Sequence, residues 1–115
     1  MAAVGRQVAG VVVGIIVAMI IIMGVEMAGH SVLTGDALFA GPVGAYLIAA
    51  AVGGFVAIKV AGVRRWWLPG IIVAVLALGT IMNLTMMAHP IWFAPAAALA
   101  LALGYAIAWR LTRAV

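Results

Sequence analysis

Cysteine does not occur in the chain, which excludes disulfides, thiolate zinc sites, CxxC redox chemistry and thiol catalysis. Acid is nearly as scarce, Glu26 and Asp36 being the two carboxylates among 115 residues. Charged residues of both signs make up 7% of the sequence, too few to cover a fold that meets water. Ser31 is the one serine, and its place beside His30 does not make a Ser-His-acid triad. No glycine-rich phosphate loop with its lysine occurs, since Gly53-Gly54 sits inside an apolar run, and there is no H-E-x-x-H motif.

What the chain has instead is apolar residue, 70% of the total, so it must use lipid as its solvent. Four long uncharged runs stand out: Gln7 to Val25, Ala37 to Ile58, Trp66 to Ala88 and Pro90 to Trp109. Each can cross a hydrocarbon core about 30 Å thick at about 1.5 Å per helical residue. Continuous Ile, Val, Ala and Leu do not alternate as the strands of a membrane barrel would. The first run is longer than the roughly 7 to 15 residues of a signal-peptide core and is expected to be retained. Gly41-Pro42, Leu68-Pro69-Gly70 and His89-Pro90 punctuate the connections. The expected fold is all-α, a single transmembrane domain over 1–115 with helices near 7–28, 42–62, 68–88 and 91–110.

The formal charge of +4 would point to nucleic acid in a soluble chain, but here the cations flank the apolar runs, and no nucleic-acid partner is expected. Arg6 precedes the first run, Lys59, Arg64 and Arg65 separate the second from the third, and Arg110 and Arg113 follow the fourth. With four spans these places share one side, and the positive-inside rule puts both termini in the cytoplasm of a multi-pass protein of the plasma (inner) membrane. Trp66, Trp67 and Trp109 would form the inner aromatic belt, and Tyr46 with Trp92-Phe93 the outer one. Small residues recur at four-residue steps: Gly10 and Gly14, then Ala49 and Gly53, then Ala100 and Gly104. Such stripes let helix backbones approach where lipid removes the hydrophobic drive, either within the compact antiparallel bundle or against a second copy or another membrane subunit.

The residues that can carry chemistry gather at the opposite end. Glu26 lies about 30 Å along the axis from Arg6, near the outer headgroups, and His30 follows one turn later on the same face. Glu26 either ends its helix in wet headgroups or faces the bundle interior, where it can bind a proton or a cation. Asn83 lies about 9 Å below the outer end of its helix, deep enough that its amide needs a partner inside the bundle. Thr80 and Thr85 can satisfy their hydroxyls on their own helix, and Asp36 reads as a solvated turn residue. Glu26, His30 and His89 together form a set that zinc, iron or copper accepts, so a transition metal ion is a candidate cofactor. Six of the seven methionines, Met19, Met23, Met27, Met82, Met86 and Met87, lie toward the same end. Thioethers suit copper(I), and they also fill gaps in apolar packing.

Glu26 and the segment Asn83-Leu-Thr-Met-Met-Ala-His89-Pro90-Ile-Trp92-Phe93 resemble a group of small bacterial four-helix membrane proteins of unassigned function. The resemblance implies a shared outer-face site of Glu26, Asn83, His89, Pro90 and Trp92, and no activity. Small multidrug exporters also have four helices and a carboxylate on the first. Their antiparallel dimers, like dual-topology fluoride channels, need a weak Lys/Arg bias, whereas all six cations fall on one side here. Three functions follow as expectations. The first is a binding or transport module with Glu26, His30, Asn83, His89 and Trp92 around a proton, metal ion or small polar ligand. The second is a structural or assembly subunit of a larger membrane complex. The third, an enzyme using Glu26 and a histidine as acid and base, has no accompanying nucleophile or cofactor motif. A C-terminal fusion to a reporter that folds only in the cytoplasm should be active, and one that folds only outside should be silent. The reverse pattern would overturn the assigned orientation.

Overall fold

The computed structural model describes residues 2–32, 34–35, 38, 40–86 and 88–113, without the side chains of Ala2 and residues 30–32. Among these, four α-helices carry the fold: α1 Ala2–Val32, α2 Ala40–Ala61, α3 Trp67–Met86 and α4 Phe93–Leu111. All four are long and apolar enough to cross a membrane. The molecule measures 49 × 24 × 22 Å, its long axis close to a bilayer with headgroups, about 40–45 Å.

Local chemistry explains where the helices end. Helix α1 runs past both ends of the expected 7–28 because nothing breaks it before Gly35, whose φ of +60° is left-handed. Pro42 and Pro69 sit in the first turns of α2 and α3, where a missing N–H costs nothing. Gly62, at φ +73°, closes α2 with its N–H donating to the Ile58 carbonyl at 2.9 Å. Helix α4 begins at Phe93 rather than near 91, because Pro90-Ile91-Trp92 is spent on a turn closed by Phe93 N–H to Pro90 O at 3.1 Å.

Helix α2 is the centre on which the others pack, and its contact surface is made of small residues. A Cβ added to Gly14 of α1 would come within 2.8 Å of the Gly53 carbonyl, and one added to Gly53 within 3.0 Å of the Gly14 carbonyl. Gly10 abuts Ala57 and Ala61 one turn away, and Ala18 continues the stripe on the other side. On the opposite face of α2, Gly104 of α4 meets Leu47, Ala50 and Ala51, and Gly54 meets Ala108 and Pro69. Gly10, Gly14, Ala49, Gly53, Ala100 and Gly104 are all buried in this way. These pairings run α1 and α3 in one direction and α2 and α4 in the other, an up-down-up-down bundle.

The basic end is pinned by its own cations. The Arg6 guanidinium lies over Gly62, within 2.9 Å of where a Cβ would stand, at the negative end of the α2 dipole. Arg64 donates Nε and Nη2 to the Trp109 carbonyl at 3.3 and 2.7 Å and lies 3.6 Å from the Trp109 ring centroid. Tyr105 stacks on Trp109 and donates its hydroxyl to the Trp66 carbonyl at 3.0 Å. Arg64 therefore caps the C-terminus of α4, and Arg6 lies against the C-terminal end of α2. Substituting Gly14→Val should cost about 1–3 kcal/mol by overpacking against a backbone carbonyl. Gly24→Ala, where an added Cβ meets nothing within 4 Å, should be neutral or stabilising by up to about 1 kcal/mol. Unfolding titrations of the two variants in bicelles check the pair.

Candidate functional site

The small-residue stripe of α1 stops at Ala18, and bulkier side chains follow. From that height α1 and α3 no longer close on each other, and a cavity of about 450 Å³ lies between them. Met19, Ile22 and Glu26 of α1 line it, with Tyr46 of α2 and the α3 face from Val75 to Met86. Gly79 helps to make the space, since a Cβ added there would meet nothing within 4 Å.

Heights along the bundle follow from the contact between Gly14 and Ile72. Counting up the two parallel helices, Glu26 lies about 18 Å and Asn83 about 16.5 Å above it. The two side chains therefore line the cavity at one level, joined by Tyr46. Asn83 Nδ2 donates to the Tyr46 hydroxyl at 2.9 Å, which gives the amide the partner that lipid cannot supply. Tyr46 is 3% exposed, so its ring belongs to the core and its hydroxyl to the cavity. Its role was open to detection: Ala49, Ala50 and Gly53 follow it by three, four and seven residues, the spacing of one helix face, so Tyr46 shares the buried stripe and not the outer aromatic belt.

Glu26 is the charged member of this group, half-buried and with no hydrogen bond or ion pair to any described residue. The cations stand at the opposite end, Arg6 about 30 Å away along the helix, too far to neutralise it through a screened medium. The carboxylate thus lines the cavity without a counter-charge among the described residues.

The other candidates fall elsewhere. Thr80 and Thr85 donate to the Leu76 and Met82 carbonyls of their own helix at 2.9 and 3.0 Å. His89 is exposed, its ring 6.1 Å from that of Phe93, and Trp92 meets Phe93 edge-on at 6.5 Å. Neither His89 nor Trp92 lines the cavity. His30 continues α1 one turn beyond Glu26, but its side chain lies outside the described residues, as do Asp36 and Met87. Among the described residues no three of His, Cys, Asp and Glu are grouped to hold a metal ion. Of the methionines, Met19, Met82 and Met86 line the cavity, whereas Met23 and Met27 do not.

Compared with protein-family models, curated proteins and solved structures, the chain matches none. The chemistry of the site is therefore argued from its own geometry: one carboxylate, one amide and one phenol at the polar end of an apolar cavity. Removing the Tyr46 hydroxyl by Tyr46→Phe should cost about 0.5–1.5 kcal/mol. The double variant with Asn83→Leu should recover part of that loss, because no amide is then left unsatisfied. A double-mutant cycle of unfolding in bicelles measures the coupling, and a value of zero would show the bond to be absent in lipid.

Proposed function

We propose that this is a multi-pass protein of the plasma membrane with both termini in the cytoplasm. It binds or transports a proton, a metal ion or a small polar ligand at an outward-facing site built around Glu26. One observation supports this above the rest: Glu26, without a partner among the described residues, lines the same cavity as the hydrogen-bonded Asn83 and Tyr46. A carboxylate held partly out of water by apolar walls gains most from a ligand that brings positive charge. Three separate helices contribute the polar groups, so binding would also report on how the helices are arranged.

The competing role, a structural subunit of a larger complex, needs small-residue stripes free to dock a partner. Gly10, Gly14, Ala49, Gly53, Ala100 and Gly104 are all buried within the bundle, which leaves that role with less support.

Glu26 is the chain's single glutamate, so protein labelled with δ-¹³C glutamate carries one side-chain carboxyl signal. In lipid nanodiscs that signal should shift saturably with Zn²⁺ or with an organic ammonium ion, and Asn83→Ala should weaken the response several-fold. If no cation shifts the signal saturably, Glu26 holds no cation and the polar-site function fails.

A further inference from the structure

The cavity is polar at one end only. Its upper level holds Glu26, Asn83 and the Tyr46 hydroxyl beside Met82 and Met86, whereas Met19, Ile22, Val75, Leu76, Leu78 and Gly79 line the lower part. From Met19 to Glu26 is seven residues of α1, about 10 Å along the membrane normal. The space is therefore an elongated apolar slot with a carboxylate at its outer mouth.

The slot also opens sideways. Leu78, Met82 and Met86 are 62%, 54% and 76% exposed although they line it, so its flank between α1 and α3 faces the surroundings of the bundle. In a membrane those surroundings are acyl chains, and a ligand entering there must be lipid-soluble over most of its length. At the Glu26 level the same ligand must bring a cation, because no described residue supplies one. Methionine walls adapt to tails of different shape, being unbranched and polarisable. A thioether-bound metal ion fits less well: Met19 and Met86 lie about 13 Å apart in height, and both side chains leave their helices tilted toward the N-terminus, so they do not converge on one ion.

We propose that this slot binds an amphiphilic monovalent cation, an ammonium head on a single hydrocarbon tail, that enters from the outer leaflet between α1 and α3. The head pairs with Glu26 beside Asn83 and Tyr46, and the tail lies along Met19, Leu76 and Gly79. The proposal deepens the polar-site function above and rests on it.

The test uses the full chain in phosphatidylcholine nanodiscs, with the ¹³C carboxyl of Glu26 as one readout. Retention of radiolabelled dodecyltrimethylammonium above that of empty nanodiscs is the other. Dodecyltrimethylammonium should bind saturably and shift the Glu26 signal at concentrations at least tenfold below tetramethylammonium, which has the head without the tail. Dodecanol, the tail without the charge, should neither shift the signal nor displace the label. Glu26→Gln should weaken retention tenfold or more. Gly79→Leu adds volume where a Cβ meets nothing; it should block retention by a similar factor while Glu26 still responds to Zn²⁺. Equal potency of tetramethylammonium, or displacement by dodecanol, would overturn the amphiphile. A response to Zn²⁺ alone would overturn it too while leaving the polar-site function standing, and silence toward every probe would end both. Unchanged retention in both variants, each first checked for wild-type unfolding, would place the label in lipid and not in the slot.

Discussion

The bundle depends on backbone meeting backbone at α2. In lipid, joining two apolar helices removes no surface from water, so association must come from dispersion and weak polar contacts at short range. Gly14 and Gly53 achieve this reciprocally, each close to the other's carbonyl, the geometry in which Cα–H groups approach carbonyl oxygens. The stripe is narrow on α1, where Gly10, Gly14 and Ala18 are its buried residues. Above Ala18 the condition for close approach lapses. The cavity starts with the next residue, Met19, so the open space follows from where the small residues stop.

The molecule is consequently uneven from end to end. At the basic end, helices are packed at backbone distance, the α4 C-terminus is held by Arg64, and Arg6 lies beside the end of α2. Those guanidiniums meet the negative ends of helix dipoles, and Arg64 adds a face-on contact with Trp109 that a lysine could not reproduce with the same planar stacking. At the acidic end α1 still meets α2 at Gly29 and Gly41, but between α1 and α3 a gap opens that a carboxylate without a partner among the described residues lines.

Much of this was legible in the chain. Run length and the absence of charge decide whether a segment can lie in lipid regardless of how it packs, so the four helices could be read directly. The glycine and alanine steps marked the contact faces, because in lipid small residues are the requirement for contact. Asn83 could be recognised as needing a partner, but not which one. Tyr46 was assigned to the outer belt from its residue type, whereas its register with Ala49, Ala50 and Gly53 carries it into the core. The cavity itself could not be read, since it is a property of where two helices diverge. Glu26 and Asn83 are 57 positions apart in sequence, and only the shared height of parallel helices brings them to one level. The cap formed by Arg64 on Trp109 was hidden for a similar reason, bridging elements far apart in the chain.

The sign of the site follows from its hydrogen-bonding capacity. Asn83 spends one amide hydrogen on the Tyr46 oxygen, which leaves the phenol its own proton to donate and the amide a carbonyl to accept with. Two carboxylate oxygens of Glu26 and the amide oxygen then outnumber the donors that remain. In an aqueous pocket such an imbalance would be settled by water, but the slot is bounded largely by apolar side chains and opens sideways between α1 and α3. An excess of acceptors there is met by a ligand whose donors or positive charge complement it.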